Sequence, residues 1–266
     1  AYTGQVPSPN AERCWSYRTV DKLAGLAGKP SPDLSKRAVA LAALLSERLW
    51  NQEQGWFGAL SREGQPQLCY SIQIFDLLRL DLLDKAKQDA IIKHLNVDEF
   101  LSEYGLHSLS KRDPGYDPRD VDWGGPGVYA GDAPELIQDL YHSGHPQQAG
   151  DLLRRILWWA ERMPYFPQAI CAGKVDYRRD GRSNLRNGLC GAQALLFGVL
   201  GLEVAPDGSV SIQPQLPPDT QSLTFEGVRI RNQKFDVSIS SDGAAVTLMG
   251  GEKLHTSIGK RLLVGK

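Results

Sequence analysis

The sequence lacks most features that announce a common site chemistry. No apolar run reaches the roughly 20 residues of a membrane span. The longest apolar stretch, around Leu189 to Val204, is broken by Gln193 and several glycines. Net charge is nearly absent: 30 Lys and Arg against 31 Asp and Glu leave -1. Nothing in that balance draws the chain toward nucleic acid or an anionic membrane, and neither partner is expected. The four cysteines, Cys14, Cys69, Cys171 and Cys190, form no C-x-x-C pair and lie too far apart for a zinc ribbon. A chain of 266 residues can build a core without disulfides, so the redox compartment stays open. None of the histidines has H-x-x-x-H spacing, G-x-S-x-G is absent, and no glycine-rich phosphate loop opens a helix after a strand. No metal site and no cofactor are expected. The opening Ala1-Tyr2-Thr3-Gly4 has neither a basic n-region, nor an apolar h-region, nor an initiator Met. That is the pattern of a processed chain or a piece of a longer one.

What is present is helical periodicity followed by alternation. Cys14 to Ala27 reads as a short helix with Val20, Leu23, Ala24 and Ala27 on one face. Ser31-Pro32-Asp33 reads as a helix start, and Leu34, Ala38, Leu41, Ala42, Leu45 and Leu49 follow as one apolar stripe. Asn51 to Gln67 reads as a loop or short hairpin. Cys69–Leu83, Lys85–Leu95 and Val97–Glu103 read as helices, the first with Ile72, Phe75, Leu78 and Leu82 inward. Asp132-Ala133-Pro134-Glu135 has the form of a capping box opening a helix to His142, a role that accounts for both acids more simply than catalysis by them. His145-Pro146 opens another helix, and the last runs over Leu189–Leu200. After Gly201 the period becomes two: Val210/Ile212, Val228/Ile230, Phe235/Val237/Ile239 and Val246/Leu248, with Asp242-Gly243 as a hairpin turn. Helices and strands fall in separate blocks, which excludes a parallel α/β sheet.

Two irregular stretches, 110–131 and 164–187, interrupt the helices, and long structureless loops are usually functional or disordered. The first carries Tyr116, Trp123 and Tyr129, which argues against disorder. Aromatic faces beside Asp, Asn and Arg suit sugars: rings stack on a pyranose while polar groups bond its hydroxyls. Packing of the same aromatics onto the helices below is the competing reading. Asp117, Asp120 and Asp122 lack the register of a calcium loop and read as turn residues.

These residues carry a resemblance. Leu49-Trp50-Asn51-Gln52-Glu53-Gln54-Gly55-Trp56-Phe57, the run Phe100 to Ser110 with Asp113-Pro114-Gly115-Tyr116, Asp122-Trp123-Gly124-Gly125-Pro126, Asp176-Tyr177 with Asp180-Gly181, and Gly191–Gly201 leading to Gly208–Pro217 occur in the order of motifs in glycoside hydrolase family 63 and its trehalase-like relatives. The likeness covers about residues 20 to 217 and resembles the second half of that family's catalytic domain, a six-hairpin (α/α) toroid. Two departures stand out. Gly124 occupies the place of a family Arg. At the place of the catalytic Glu the chain has Lys174 or Val175, with Asp176 the nearest acid.

The resemblance implies a mainly α fold: a partial (α/α)6 toroid of helical hairpins over residues 1–201 and a small antiparallel β module over 202–266. It implies a glycoside hydrolase of inverting type acting on an oligosaccharide or glycoside, or the C-terminal part of one. Asp176 is then the candidate base, and Trp56, Phe57, Asp120, Asp122, Trp123 and Tyr177 would bind the saccharide. Asp176 paired with Arg178, Arg179 or Arg182 is the plainer alternative. The family's general acid has no counterpart here, so the N-terminal half of the same polypeptide, or another chain, is an expected partner. The departures leave room for a non-catalytic carbohydrate-binding relative, a toroid phosphorylase or lyase, or a helical scaffold for protein partners.

Overall fold

The computed structural model of the chain describes residues 4–80, 83–120, 123–162, 169–171 and 189–265. Helix α1 spans Pro7–Leu26, starting after extended Val6 with proline in its first turn, where a missing N–H costs nothing. It is longer than the short helix expected from Cys14, and its inward face is different. Pro7, Ser8, Ala11 and Cys14 are buried, while Val20 and Leu23 stand in solvent. Helix α2 (Pro32–Arg48) starts where Ser31-Pro32 predicts, yet the Ser31 side chain makes no cap bond. Asp21 of α1 ties this end down instead, accepting the Ser31 N–H at 3.0 Å and the Ser35 hydroxyl. The predicted stripe turns inward through Ala38, Leu45 and Leu49.

Asn51–Gln67 folds as two small ladders, β1 (Trp50–Asn51) with β2 (Trp56–Phe57) and β3 (Ala59–Leu60) with β4 (Pro66–Gln67). The next segment is a 3-10 helix over Ile72–Leu80 rather than an α-helix. At three residues per turn, Ile72, Phe75 and Leu78 eclipse one another, as do Ile74 and Leu77, and all five are buried. Leu82 lies outside the described residues. Helix α3 (Lys85–Ile92) is capped by Asp84, whose carboxylate accepts the Lys87 N–H at 2.8 Å. Val97–Glu103 is not helical. It forms turns and strand β5 (Leu101–Ser102), which pairs with β6 (Gly105–Leu106). Strand β7 (Gly127–Tyr129) pairs with β8 (Ala169–Cys171) and leads through a 3-10 turn, Ala130–Asp132, into α4 (Ala133–His142). Helix α5 (Pro146–Arg162) follows. Helix α6 (Cys190–Gln193) is short and continues as a π-helix over Ala194–Val199.

Helix α4 is the hub, packing on the 3-10 helix, α5, α6 and the π segment. Around it one apolar core joins Phe75, Ile137, Leu140, Ile156, Trp159 and Val199. Each such side chain contributes about 1.5–3 kcal/mol by leaving water. The buried Trp159 keeps its indole N–H satisfied on the Tyr104 carbonyl at 2.9 Å.

The chain then turns at Gly201, at φ 62°, where a Cβ would lie 2.4 Å from the Gln213 carbonyl oxygen. Beyond it, β9 (Glu203–Val204), β10 (Val210–Ile212) and β15 (Leu262–Gly265) make a three-stranded sheet in the order β15-β10-β9. Strands β11 (Ser222–Ile230), β12 (Gln233–Ser240), β13 (Gly243–Leu248) and β14 (Lys253–Thr256) make an antiparallel meander. The alternation is as expected: Phe235, Val237, Ile239 and Val246 meet Val210, Ile212 and Val264 in a second core. The hairpin turn slips by one residue. Ser240 pairs with Gly243, so the two loop residues are Ser241 and Asp242.

Candidate functional site

The loop from Ser110 into β7 is built inward from buried polar anchors. Asp113 is buried; one carboxylate oxygen accepts the Tyr70 N–H at 2.7 Å and the other the Gly115 N–H at 2.8 Å. Ser108 ties down the far end, its N–H donating to the Gly127 carbonyl at 2.9 Å and its hydroxyl to that of Gly125 at 3.2 Å. Between these anchors the Asp117 N–H reaches the Gly124 carbonyl at 2.9 Å and closes a tight loop.

Asp120 is a turn residue in this loop. Its carboxylate accepts the Gly124 N–H at 3.1 Å. A Cβ on Gly124 would sit 2.3 Å from that carboxylate oxygen, and one on Gly125 would sit 2.2 Å from the Asp117 carbonyl oxygen. The glycine standing in place of the family Arg is therefore part of how this loop closes. Exposed Asp117 is held below the usual carboxylate range by its hydrogen bonds from Arg119.

Trp123 is 49% exposed and lies flat on Tyr129, ring centroids 4.1 Å apart and planes within 16°. Tyr129 is buried, so the pair is an anchored platform with one open tryptophan face. Beside it in the same loop Tyr116 stacks over His107, centroids 6.1 Å apart at 15°. His107 is buried, with no hydrogen-bond partner at Nδ1. Burial first, and then the Lys111 charge, push its pKa down to about 4, so at neutral pH it is an uncharged ring.

Trp56 and Phe57, expected to bind sugar, are core residues, 0% and 1% exposed. Trp56 packs among Tyr70, Phe75, His94 and Phe100 and donates its indole N–H to the Cys69 carbonyl at 2.9 Å. Neither has a face to offer a ligand. Asp122, Asp176 and Tyr177 lie outside the described residues. Cys14, Cys69 and Cys190 are buried, and burial pushes the Cys190 thiol up to about 12.

A second feature gathers Asp132 and Glu135, which the sequence offers either as catalytic acids or as the two ends of a capping box. Asp132 and Glu135 have the spacing of a capping box, yet no side-chain cap bond forms at Asp132. Both instead line a pocket of about 270 Å³ together with Ser8, Glu12, Gln73, Asp76 and Asp139. Ser8 donates its hydroxyl to Asp76 at 3.1 Å. All five carboxylates engage in further polar interactions. The available signal was the spacing of Asp132, Glu135 and Asp139 (i, i+3, i+7), which puts three acids on one face of α4. Among the described residues no group of His, Cys, Asp and Glu has the arrangement of a metal site, and no helix is long and apolar enough to cross a membrane.

Comparison with known proteins bears on this geometry. The profile of the mannosylglycerate hydrolase MGH1-like glycoside hydrolase domain matches residues 7–127, and that of the glycosyl hydrolase family 65 C-terminal domain matches residues 202–263. No curated protein sequence matches. Among solved structures, one described as a sialidase superposes with a TM-score of 0.79 at 15% identity, over 97% of this chain and 26% of its own. A GH63 mannosylglycerate hydrolase from Thermus thermophilus in complex with glucose superposes at 0.59 and 19% identity, over 71% of this chain and 46% of its own. An uncharacterized conserved protein of the same organism gives 0.58 and 19%, over 71% and 45%. Likeness at such identities speaks to the fold. The chain spans from about a quarter to less than half the length of these structures.

Proposed function

We propose that this chain is a relative of the six-hairpin glycosidases of glycoside hydrolase family 63 and the trehalase-like enzymes, and that it is the C-terminal part of a glycoside hydrolase, built as a partial (α/α)6 toroid with a β module. The observation that carries this reading is the family match over residues 7–127, which includes the half-exposed Trp123, stacked on Tyr129 two residues beyond the matched range. An indole face of that kind suits the C–H face of a pyranose, and Asp120, Asp122 and Tyr177 would bond the sugar's hydroxyls. Asp176 is the candidate base. In an inverting reaction it takes a proton from the attacking water while an acid on the other side of the ring protonates the leaving oxygen, the two carboxyl groups standing about 6.5–9.5 Å apart. That acid comes from outside this chain.

The test uses the complete enzyme with a panel of glycosides, following the first-formed anomer by proton NMR. Asp176→Asn should lower turnover about 10²–10⁴-fold without changing thermal unfolding. An unchanged rate removes Asp176 from the assignment, and a product of retained configuration removes inversion. A second reading, a non-catalytic saccharide-binding relative, is favoured by Gly124 where the family pattern has Arg and by Lys174 or Val175 where it has Glu. It predicts saturable binding of oligosaccharides with no turnover.

A further inference from the structure

The four-stranded meander turns Val237, Ile239, Ala244 and Val246 into the second core and leaves its other face to solvent. Strand register divides that outer face into two halves. In one half Thr224, Ser238, Ala245 and His255 form a row across all four strands, and Ser222, Ser240 and Gly243 form the next row. In the other half the rows are Asp236, Thr247 and Lys253, then Arg229 and Lys234. A solvated sheet face ordinarily carries charge, and this second half does. The first half carries hydroxyls instead. Among the described residues its lining holds one carboxylate, Asp242, and no Lys or Arg. It is also hollow, at about 520 Å³ against 270 Å³ for the acid-lined pocket beside α4. Gly243 and Ala245 leave the middle of the sheet low, the larger Thr224 and His255 flank it on the two outer strands, and Asp242 lies at the hairpin end.

We infer that this hollow is a binding site for a neutral oligosaccharide, separate from the loop around Trp123. The chemistry of the lining selects the class. Each Ser or Thr hydroxyl both donates and accepts, which matches a ligand whose own hydroxyls do the same. An anion is held by charged donors such as Arg and Lys, which the lining lacks. A hard cation takes several oxygen ligands with more than one carboxylate among them, and Asp242 stands alone. An apolar ligand needs apolar or aromatic walls, and the large apolar residues here, Leu223 and Ile239, pack toward the core. Three inter-strand spacings make the row about 14 Å long, room for a short oligosaccharide held by its hydroxyl edge. The inference stands on the β module alone and does not rest on the hydrolase reading. That module contains no tryptophan, so occupancy is read from its backbone amides.

The experiment titrates maltotriose, cellotriose and mannotriose into the isotope-labelled 266-residue chain, with glycerol and sulfate as controls, and follows amide resonances by NMR. The expected result is a saturable shift with at least one triose at Thr224, Ser238, Ala245 and His255, while Asp236, Thr247 and Lys253 stay in place. Thr224→Val with Ser238→Val keeps the strand preference and removes two hydroxyls. It should weaken binding about tenfold, the worth of two neutral hydrogen bonds, with the unfolding midpoint unchanged. Thr224→Ser with Ser238→Thr keeps both hydroxyls and should stay within about threefold of the wild type. Trp123→Ala should leave these shifts as they are. No saturable shift with any triose, equal shifts with glycerol or sulfate, undiminished binding in the valine variant, or loss in Trp123→Ala would each overturn the inference. Saturable shifts in the β module without any response at Trp123 would leave this site standing and remove the saccharide from the loop, and the reverse pattern would remove this site alone.

Discussion

Two tryptophans in loops of similar composition have opposite fates. Trp56 and Trp123 each sit beside glycines and acids, and sequence reasoning gave both a sugar. Burial separates them: Trp56 lies in an aromatic cluster with its N–H satisfied internally, while Trp123 keeps an open face. The partners that decided this, Tyr70, Phe75, His94 and Phe100, arrive from segments 14 to 44 residues away, beyond any local pattern. His107 was equally invisible. Its folded pKa, about 4, lies below the ordinary histidine value of 6.5, so between those values the unfolded chain binds the extra proton. Its contribution to stability is therefore whole above pH 6.5 and is lost as pH falls toward 4, by up to about 3 kcal/mol. His107→Phe keeps the stack on Tyr116 and should flatten the fall in unfolding free energy over that window, read by urea titrations at several pH values. A profile as steep as that of the wild type would show that another group carries it. Tyr141 is a simpler case. Its hydroxyl is buried without a hydrogen-bond partner, and burial pushes its pKa up to about 12. Tyr141→Phe should leave stability unchanged or raise it by up to about 1 kcal/mol. A loss above that amount in thermal or urea unfolding would mean the hydroxyl is satisfied.

Among the elements, apolar spacing was legible where one helix face meets one core. The α2 stripe and the strands after Gly201 follow from it directly. The segment 72–80 was legible as helical but not as to type, because spacings of three occur in both helix types; it winds as a 3-10 helix. Val97–Glu103 failed because a seven-residue window cannot separate a helix turn from a turn–strand–turn. The capping-box pattern marked the start and end of α4 correctly, but the Asp132 side chain makes no cap bond, and Asp132 and Glu135 line the pocket they share with α1 and the 3-10 helix. Gly201 was legible only as a change of period. Its role is steric, since the chain passes there with positive φ against the Gln213 backbone. Gly201→Ala should destabilise by at least about 1 kcal/mol, measured by urea unfolding, and a neutral result would mean the junction relaxes freely.

For the whole molecule, the helical block, the β module and their order could be read from sequence, because burial imposes different periods on the two. The completeness of the site could not be, because a site is assembled from pieces far apart in sequence. One claim joins those levels: the loop around Trp123 grips a saccharide. Titrating neutral oligosaccharides of several linkages into the chain while following tryptophan fluorescence tests it most directly. The account predicts a saturable change with at least one of them that disappears in Trp123→Ala while the thermal unfolding midpoint is preserved. An identical response in the wild type and the variant, or none across the panel, would contradict it.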